Sequence, residues 1–400
     1  MKAITVEPKK PGTGRLEDVP GPEVRNGSVL VEALAVGVCG TDVEIADGKY
    51  GWAPPGKTRL VLGHESLGRM IEPDPAGRMK EGEIVVGIVR RPDPVHCPDP
   101  VPCPNCAVGE WDMCRNGQYT ERGIKQIDGY MSEQWRIEHD YSIKIDPSLG
   151  LLGVLLEPTT VVAKAWEQVD RIGGRSFWQP RTVLITGAGP IGLLAALLGK
   201  QRGLDVHVLD RVESGRKPGL VRALGATYHS GNVTRIGFEP DVIIECTGVG
   251  PVINDCIQQL GSGGIVCLTG VGAGGGASNN ITADVAADAV LRNKVVVGSV
   301  NANKRHLVQR RGSAGARRPR LVVKAHLTAR KAGDLCSCSG AQARRHKGGY
   351  SVRRDVIEVR AYSKTRSANL GTVPLNNPCG TRHPLVPKFA TIAVMSSCCS

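Results

Sequence analysis

Residues 182–210 read TVLITGAGPIGLLAALLGKQRGLDVHVLD, and this stretch decides the fold. A β-prone run, 182–186, enters a glycine-rich turn; an apolar helix begins at Pro190, and a second short strand, 205–210, ends on an acid. Gly187, Gly189 and Gly192 have the spacing G-x-G-x-x-G. The first glycine permits the tight turn, the second lets the backbone approach a pyrophosphate, and the third allows close helix–strand packing, with the helix N-terminus facing the phosphates. Asp210, 18 residues beyond Gly192, stands where an acid accepts hydrogen bonds from an adenosine ribose. Pro190 and Ile191 within the motif, and Thr247 after the strand in DVIIECTG (241–248), complete the candidate dinucleotide-binding set. A lone glycine motif is also the sequence of an ordinary strand–helix turn; the strand–helix–strand context and Asp210 favour a nicotinamide dinucleotide. Arg211, Arg216 and Lys217 follow the acid at once. Asp210 disfavours a 2′-phosphate, whereas Arg211 can pair with one, so NAD is favoured and NADP stays open. Arg216 and Lys217 read equally well as a solvated helix start.

Working outward, VRALGA (221–226), DVIIECTG, INDCIQQLG (253–261) and GGIVCLTG (263–270) continue the alternation of helix and strand. The fold class is therefore α/β, with a doubly wound parallel sheet over 161–300. Residues 1–160 differ: Val/Ile-rich runs such as SVLVEALAV (28–36) and EIVVGIV (83–89), split by Gly and Pro turns, predict a mainly β domain. The helical stretch LLEPTTVVAKAWEQV (155–169) joins the two. Four hundred residues suit two domains, and aromatics at 4% against 51 glycines imply a core of Val, Ile, Leu and Ala with many tight turns.

The net charge of +13 invites a nucleic-acid reading, but its location argues otherwise. Residues 1–300 carry 31 Lys and Arg against 35 Asp and Glu, net −4; residues 301–400 carry 20 against 3, net +17. From residue 307 the basic tail holds neither a helical nor a strand period, and it is rich in Arg, Ser, Gly and Cys. That texture is what a shifted reading frame in a high-GC gene yields. An independent determination of the gene around codon 306 that returned the same frame would overturn this account of the tail. No apolar run of about 18 residues predicts a membrane span, and MKAITVEPKK lacks the features of a signal peptide, so a cytoplasmic, membrane-free protein is expected.

Eight of thirteen cysteines lie within 1–300, four of them as Cys97-x5-Cys103-x2-Cys106-x7-Cys114. In such a chain a tight cluster reads as metal ligands before disulfides, and four thiolates make a closed, structural zinc site. Cys39 in GVCGTD (37–42), with His64 and Glu65 in GHE (63–65), supplies a second donor set of thiolate, imidazole and carboxylate. Three protein ligands leave a position for substrate on a catalytic zinc.

The order GVCGTD, GHE, four-cysteine lobe, LLEP (155–158) and GAGPIG (187–192) resembles the zinc-containing medium-chain alcohol dehydrogenase superfamily. VRRP (89–92), YTERGIKQIDGYMSE (119–133) and GSVNANKRH (298–306) further resemble its glucose 1-dehydrogenase branch. The resemblance implies a Rossmann domain plus a GroES-like catalytic domain, and hydride transfer from C1 of glucose or a related aldose to NAD(P), giving the lactone. It implies Cys39, His64 and Glu157 as catalytic zinc ligands, with Glu65 an alternate ligand. Thr41 matches the hydroxyl touching the reacting alcohol, Glu121 a sugar-binding glutamate, and Asn301 a residue at sugar and nicotinamide. Glu157 is implied to touch sugar hydroxyls as well, and the assembly a homodimer or homotetramer. The family lobe has two residues between its first and second cysteines; here PDPVP (98–102) intervenes, so His96 or Asp99 stand as substitutes for Cys97. The family chain also returns after the Rossmann domain to complete the catalytic domain, a pattern absent from the sequence of 307–400.

Each role has a structural counterpart. Thr41-x-x-Glu44 is a capping box, Glu65 a supporting carboxylate, Glu121 a surface charge and Asn301 a turn residue. The competing functions are a zinc-dependent polyol, threonine or simple alcohol dehydrogenase, a nucleic-acid-binding zinc protein with a basic tail, and a non-catalytic dinucleotide sensor. The tail lacks interleaved aromatics and a recognisable nucleic-acid module, which disfavours the second.

Overall fold

A computed structural model of the chain describes residues 1–24, 27–72, 76–92, 103–272 and 282–307. The expectations for Cys97, His96, Asp99 and the tail from residue 308 lie outside the described residues.

The alternation read from residue 182 onward becomes a six-stranded parallel sheet. Its spatial order is Thr227–Ser230, Asp205–Asp210, Thr182–Thr186, Val242–Glu245, Ile265–Leu268, Val295–Gly298. The first strand in sequence thus lies at the centre, and the chain builds outward on one side and then the other, so that a crevice opens at the C-terminal ends of Thr182–Thr186 and Val242–Glu245. Helices Pro190–Gln201, Arg216–Ala223, Gly250–Gln259 and Ala283–Leu291 connect the strands. Central strands are buried on both faces, which explains continuous runs such as VLI instead of alternation.

Residues 1–146 form mainly antiparallel sheets, the short pair Thr120–Arg122 and Gln126–Ile127 being parallel. The five-stranded sheet runs Gln134–Glu138, Ser28–Gly37, Glu65–Glu72, Ile84–Gly87, Ser142–Lys144. In its register Gly37 pairs with Glu65. GVCGTD and GHE, well separated along the chain, therefore emerge at the same end of two hydrogen-bonded strands.

The stretch Pro147–Gly173 has the length and mean hydropathy of a membrane span, but 67% of its most apolar window is buried inside the protein. The physical reason is its position between two cores. It comprises the 3-10 segment Pro147–Leu155, itself kinked at Gly150 (φ 52°), and the helix Leu156–Gly173. Leu149, Val154, Leu155 and Leu156 pack on the β domain, whereas Val162, Ala165, Trp166 and Val169 pack on the parallel sheet.

Candidate active site

Cys39 ends the loop after strand Ser28–Gly37 and caps the helix Gly40–Ala46. The metal-binding atoms of Cys39, His64 and Glu65 all lie within 4.8 Å of one another. Asp42 is buried and organises the group: its Oδ2 accepts from the Cys39 N–H (2.9 Å), its Oδ1 accepts from the Gly63 N–H (3.2 Å) and lies 3.4 Å from His64 Nδ1. The Thr41–Glu44 capping box is overturned, because the helix begins two residues earlier, with Cys39 as N-cap and Asp42 in the box carboxylate's place. With Nδ1 facing Asp42, His64 offers Nε2 to the cluster, the usual arrangement of a carboxylate-oriented ligand. Burial opposes charge on His64, but Asp42 and Cys39 beside it hold its pKa well above the usual value. Glu65 is pushed up to about 8 by burial and by the charge of Glu157, while burial lifts Glu157 to about 7. A Cβ at Gly37 would stand 2.0 Å from Glu65 Oε2, so glycine there is what leaves room for this carboxylate. A half-buried cysteine sulfur, an oriented imidazole and a buried carboxyl group fit zinc.

Thr41 lies beside the cluster, with the Cys39 thiol 3.9 Å from its hydroxyl. Glu157, at the start of Leu156–Gly173, stands outside the 4.8 Å group but within electrostatic reach of His64, Asp42 and Glu121. Glu121 is buried, not a surface charge. Its Oε1 accepts from Arg90 Nε (3.0 Å) and from Asn301 Nδ2 (2.7 Å). Asn301 has a left-handed backbone (φ 61°), and its Oδ1 accepts from the Ala302 N–H. The structure thus brings together two residues 180 positions apart.

At the parallel sheet, Gly187 has φ 88° and its N–H donates to Leu209 O (2.7 Å). A Cβ at Gly192 would fall 1.8 Å from the Gly187 carbonyl oxygen, whereas nothing lies within 4 Å of one at Gly189. The fold therefore requires the third glycine, and the space beside the second fits a pyrophosphate at the N-terminus of Pro190–Gln201. Pro190 and Ile191 open this helix, while Thr247 lies across the crevice with its methyl group 3.1 Å from a Cβ built at Gly187. Asp210 is buried, with Oδ2 accepting from the Ala188 N–H (2.7 Å) and Oδ1 from the Val212 N–H (3.2 Å). Lys217 pairs with it at 2.9 Å, so that lysine is not the solvated helix start that its position suggests. Burial alone would raise the Asp210 pKa; the two N–H groups and Lys217 hold it below the usual range. Arg211 is exposed beside this pair.

In the cysteine lobe, Cys103, Cys106 and Cys114 place their sulfurs within 4.8 Å of one another. The Arg115 N–H donates to Cys103 Sγ (3.2 Å), and this and neighbouring N–H groups lower the Cys103 pKa to about 6. Burial and the adjacent thiols lift Cys106 to about 12. A thiolate held by backbone donors beside two further thiols fits a structural zinc ion.

Residues 25–147 match the Alcohol dehydrogenase GroES-like domain, and residues 150–330 match the Glucose dehydrogenase C-terminus. Glucose 1-dehydrogenase 2 of Vulcanisaeta moutnovskia is 40% identical over 309 residues, 76% of this chain and 85% of that protein. The chain belongs to the glucose 1-dehydrogenase family. Glucose 1-dehydrogenase 1 of Caldivirga maquilingensis is 39% identical over 334 residues, 81% of this chain and 92% of the relative. Among solved structures, the Haloferax mediterranei glucose dehydrogenase in complex with NADP, Zn and gluconolactone superposes with a TM-score of 0.71 at 31% identity, covering 82% of this chain and 88% of that one.

Within this family fold, sequence reasoning missed Gly37, Asp42, Arg90 and the pairing of Lys217 with Asp210. Asp42 carried a signal, since it falls inside GVCGTD. Arg90 lies in the VRRP run, but its partner Glu121 is 31 residues away.

Proposed function

We propose that the chain oxidises glucose or a related aldose at C1 with NAD or NADP and releases the lactone. The observation that carries this reading is the juxtaposition of the Cys39–His64–Glu65 donor set with the Glu121–Asn301 pair, Glu157 lying within electrostatic reach of both. When bound, zinc supplies a Lewis acid for the C1 oxygen and the nicotinamide accepts the hydride. Cys39, His64 and Glu65 hold the metal in this proposal, with Glu157 as the further ligand or sugar contact. Thr41 accepts the proton of the C1 hydroxyl while donating its own onward, a relay suited to a group that is both donor and acceptor. Glu121 and Asn301 bind sugar hydroxyls, which favours a polyhydroxylated substrate over a simple alcohol. Gly187, Gly189, Pro190, Ile191 and Gly192 cradle the pyrophosphate, with Thr247 on the opposite wall and Asn301 near the nicotinamide.

The test is nicotinamide reduction with glucose, galactose, xylose, sorbitol, threonine and ethanol, each with NAD and NADP, before and after chelation. Turnover of an aldose that a chelator abolishes is expected; turnover of threonine or ethanol in preference would overturn the sugar assignment. Lys217 neutralises Asp210 and, with Arg211, supports acceptance of a 2′-phosphate. In the same assay Lys217→Met is expected to shift the NADP to NAD ratio of kcat/KM about tenfold toward NAD, by exposing the Asp210 charge. An unchanged ratio would remove Lys217 from cofactor choice.

A cytoplasmic homodimer or homotetramer without a nucleic-acid role belongs to the same proposal. Supporting association, strand Val295–Gly298 is the edge of the parallel sheet among the described residues, flanked by exposed Val290, Leu291, Val296 and Val300. Light scattering giving the mass of a single chain would count against it.

A further inference from the structure

A closed hydrogen-bonded circuit runs through five separate segments of the chain, at Arg90, Asp112, Glu121, Lys164 and Val300–Asn301. Asp112, in the 3-10 turn Trp111–Met113 between Cys106 and Cys114, has a fully buried side chain. Lys164, on helix Leu156–Gly173, is 1% exposed and donates from Nζ to the Asp112 carbonyl (2.9 Å) and the Val300 carbonyl (3.0 Å), with Asp112 Oδ2 at 3.1 Å. Val300 precedes Asn301, Asn301 donates to Glu121, Glu121 accepts from Arg90, and Arg90 donates to the Asp112 carbonyl (3.4 Å). Asp112 also accepts from Asn303 Nδ2 (2.7 Å) and pairs with Arg305 (3.2 Å).

Two features separate this circuit from ordinary packing. Lys164 is buried within a helix whose adjacent residues Ala163 and Ala165 belong to the apolar core, and burying a charge there is costly unless it is paired. Its ammonium fixes the carbonyl next to Asn301, whose backbone is held at a positive φ that few side chains adopt. At the other end, the donors to Glu121 all fall on Oε1, leaving Oε2 without a partner among the described residues. Asn301 Nδ2 likewise retains a second N–H. One acceptor and one donor, held at a fixed separation, suit two hydroxyls of one sugar.

We propose that Asp112 and Lys164 are positioning residues that set the Glu121–Asn301 separation and thereby the affinity for the aldose. The inference rests on the function proposed above and adds that the cysteine lobe, by presenting Asp112, contributes to sugar recognition.

The test uses Lys164→Met, close in size but unable to donate, and Asp112→Asn as a second variant should the first fail to fold. In either, the glucose KM is expected to rise at least about tenfold, the effect of lost hydrogen bonds to a charged group. The kcat at saturating glucose is expected to stay within about threefold. A glucose KM within about twofold of the parent, or a kcat that falls as far as KM rises, would overturn the proposal. A crystal structure of the variant reads the same point without turnover: Asn301 displaced from Glu121 supports positioning, and the pair retained refutes it. Failure of the unmodified protein on every aldose would instead refute the function on which the inference rests.

Discussion

His64→Ala is expected to lower kcat/KM for glucose by about 10³-fold and to remove one bound zinc per chain while the cysteine lobe keeps its own. The variant deletes the imidazole whose Nδ1 faces buried Asp42 and whose charge lowers the pKa of both Glu65 and Glu157. Without that charge both carboxyl pKa values rise further, which disfavours the ionised, metal-binding form of each. The donor set falls from three groups to a cysteine sulfur and a carboxyl that is harder to ionise. Metal analysis together with steady-state kinetics checks the prediction. Full zinc content with activity within about tenfold of the parent would show that the reacting centre lies elsewhere.

Gly192→Ala is expected to raise the Kd for NADPH about 30-fold or more and to destabilise the fold by about 1–3 kcal/mol. The methyl group would meet the Gly187 carbonyl oxygen at 1.8 Å, a backbone atom that has no rotamer with which to escape. Gly187 itself holds φ 88° and a hydrogen bond to Leu209, so the turn moves as a unit or not at all. Gly189→Ala separates packing from binding. Its Cβ meets no protein atom within 4 Å, so stability is expected to hold while NADPH affinity falls through contact with the pyrophosphate. Fluorescence titration and thermal unfolding read both variants. NADPH affinity unchanged in Gly192→Ala would mean that the crevice at the end of Thr182–Thr186 does not bind the dinucleotide.

The dinucleotide motif was legible because its requirements are local: turn, helix start and next strand lie within 182–210. Just beyond that stretch the sequence left Lys217 open between a cofactor contact and a solvated helix start. After Gly215 (φ 95°) the chain turns back, and the first turn of Arg216–Ala223 brings the lysine onto Asp210. The donor set Cys39, His64 and Glu65 was legible from residue type, but the role of Gly37 was not, because it depends on the cross-strand register that puts Gly37 opposite Glu65. The double duty of the stretch around helix Leu156–Gly173 was not legible either: it is apolar because it serves two cores at once, which only the packing shows.

The sequence by itself determined the α/β class, the parallel sheet and the residue types of both metal-binding groups, since periodicity and short-range spacing carry that information. The tertiary structure decided which side chains share a site. Asn301 meets Glu121, and Lys164 meets Asp112 and Val300, across 52 to 180 positions of chain. Such contacts arise from strand order, helix placement and burial of charge, and none of these is encoded in the spacing of neighbouring residues.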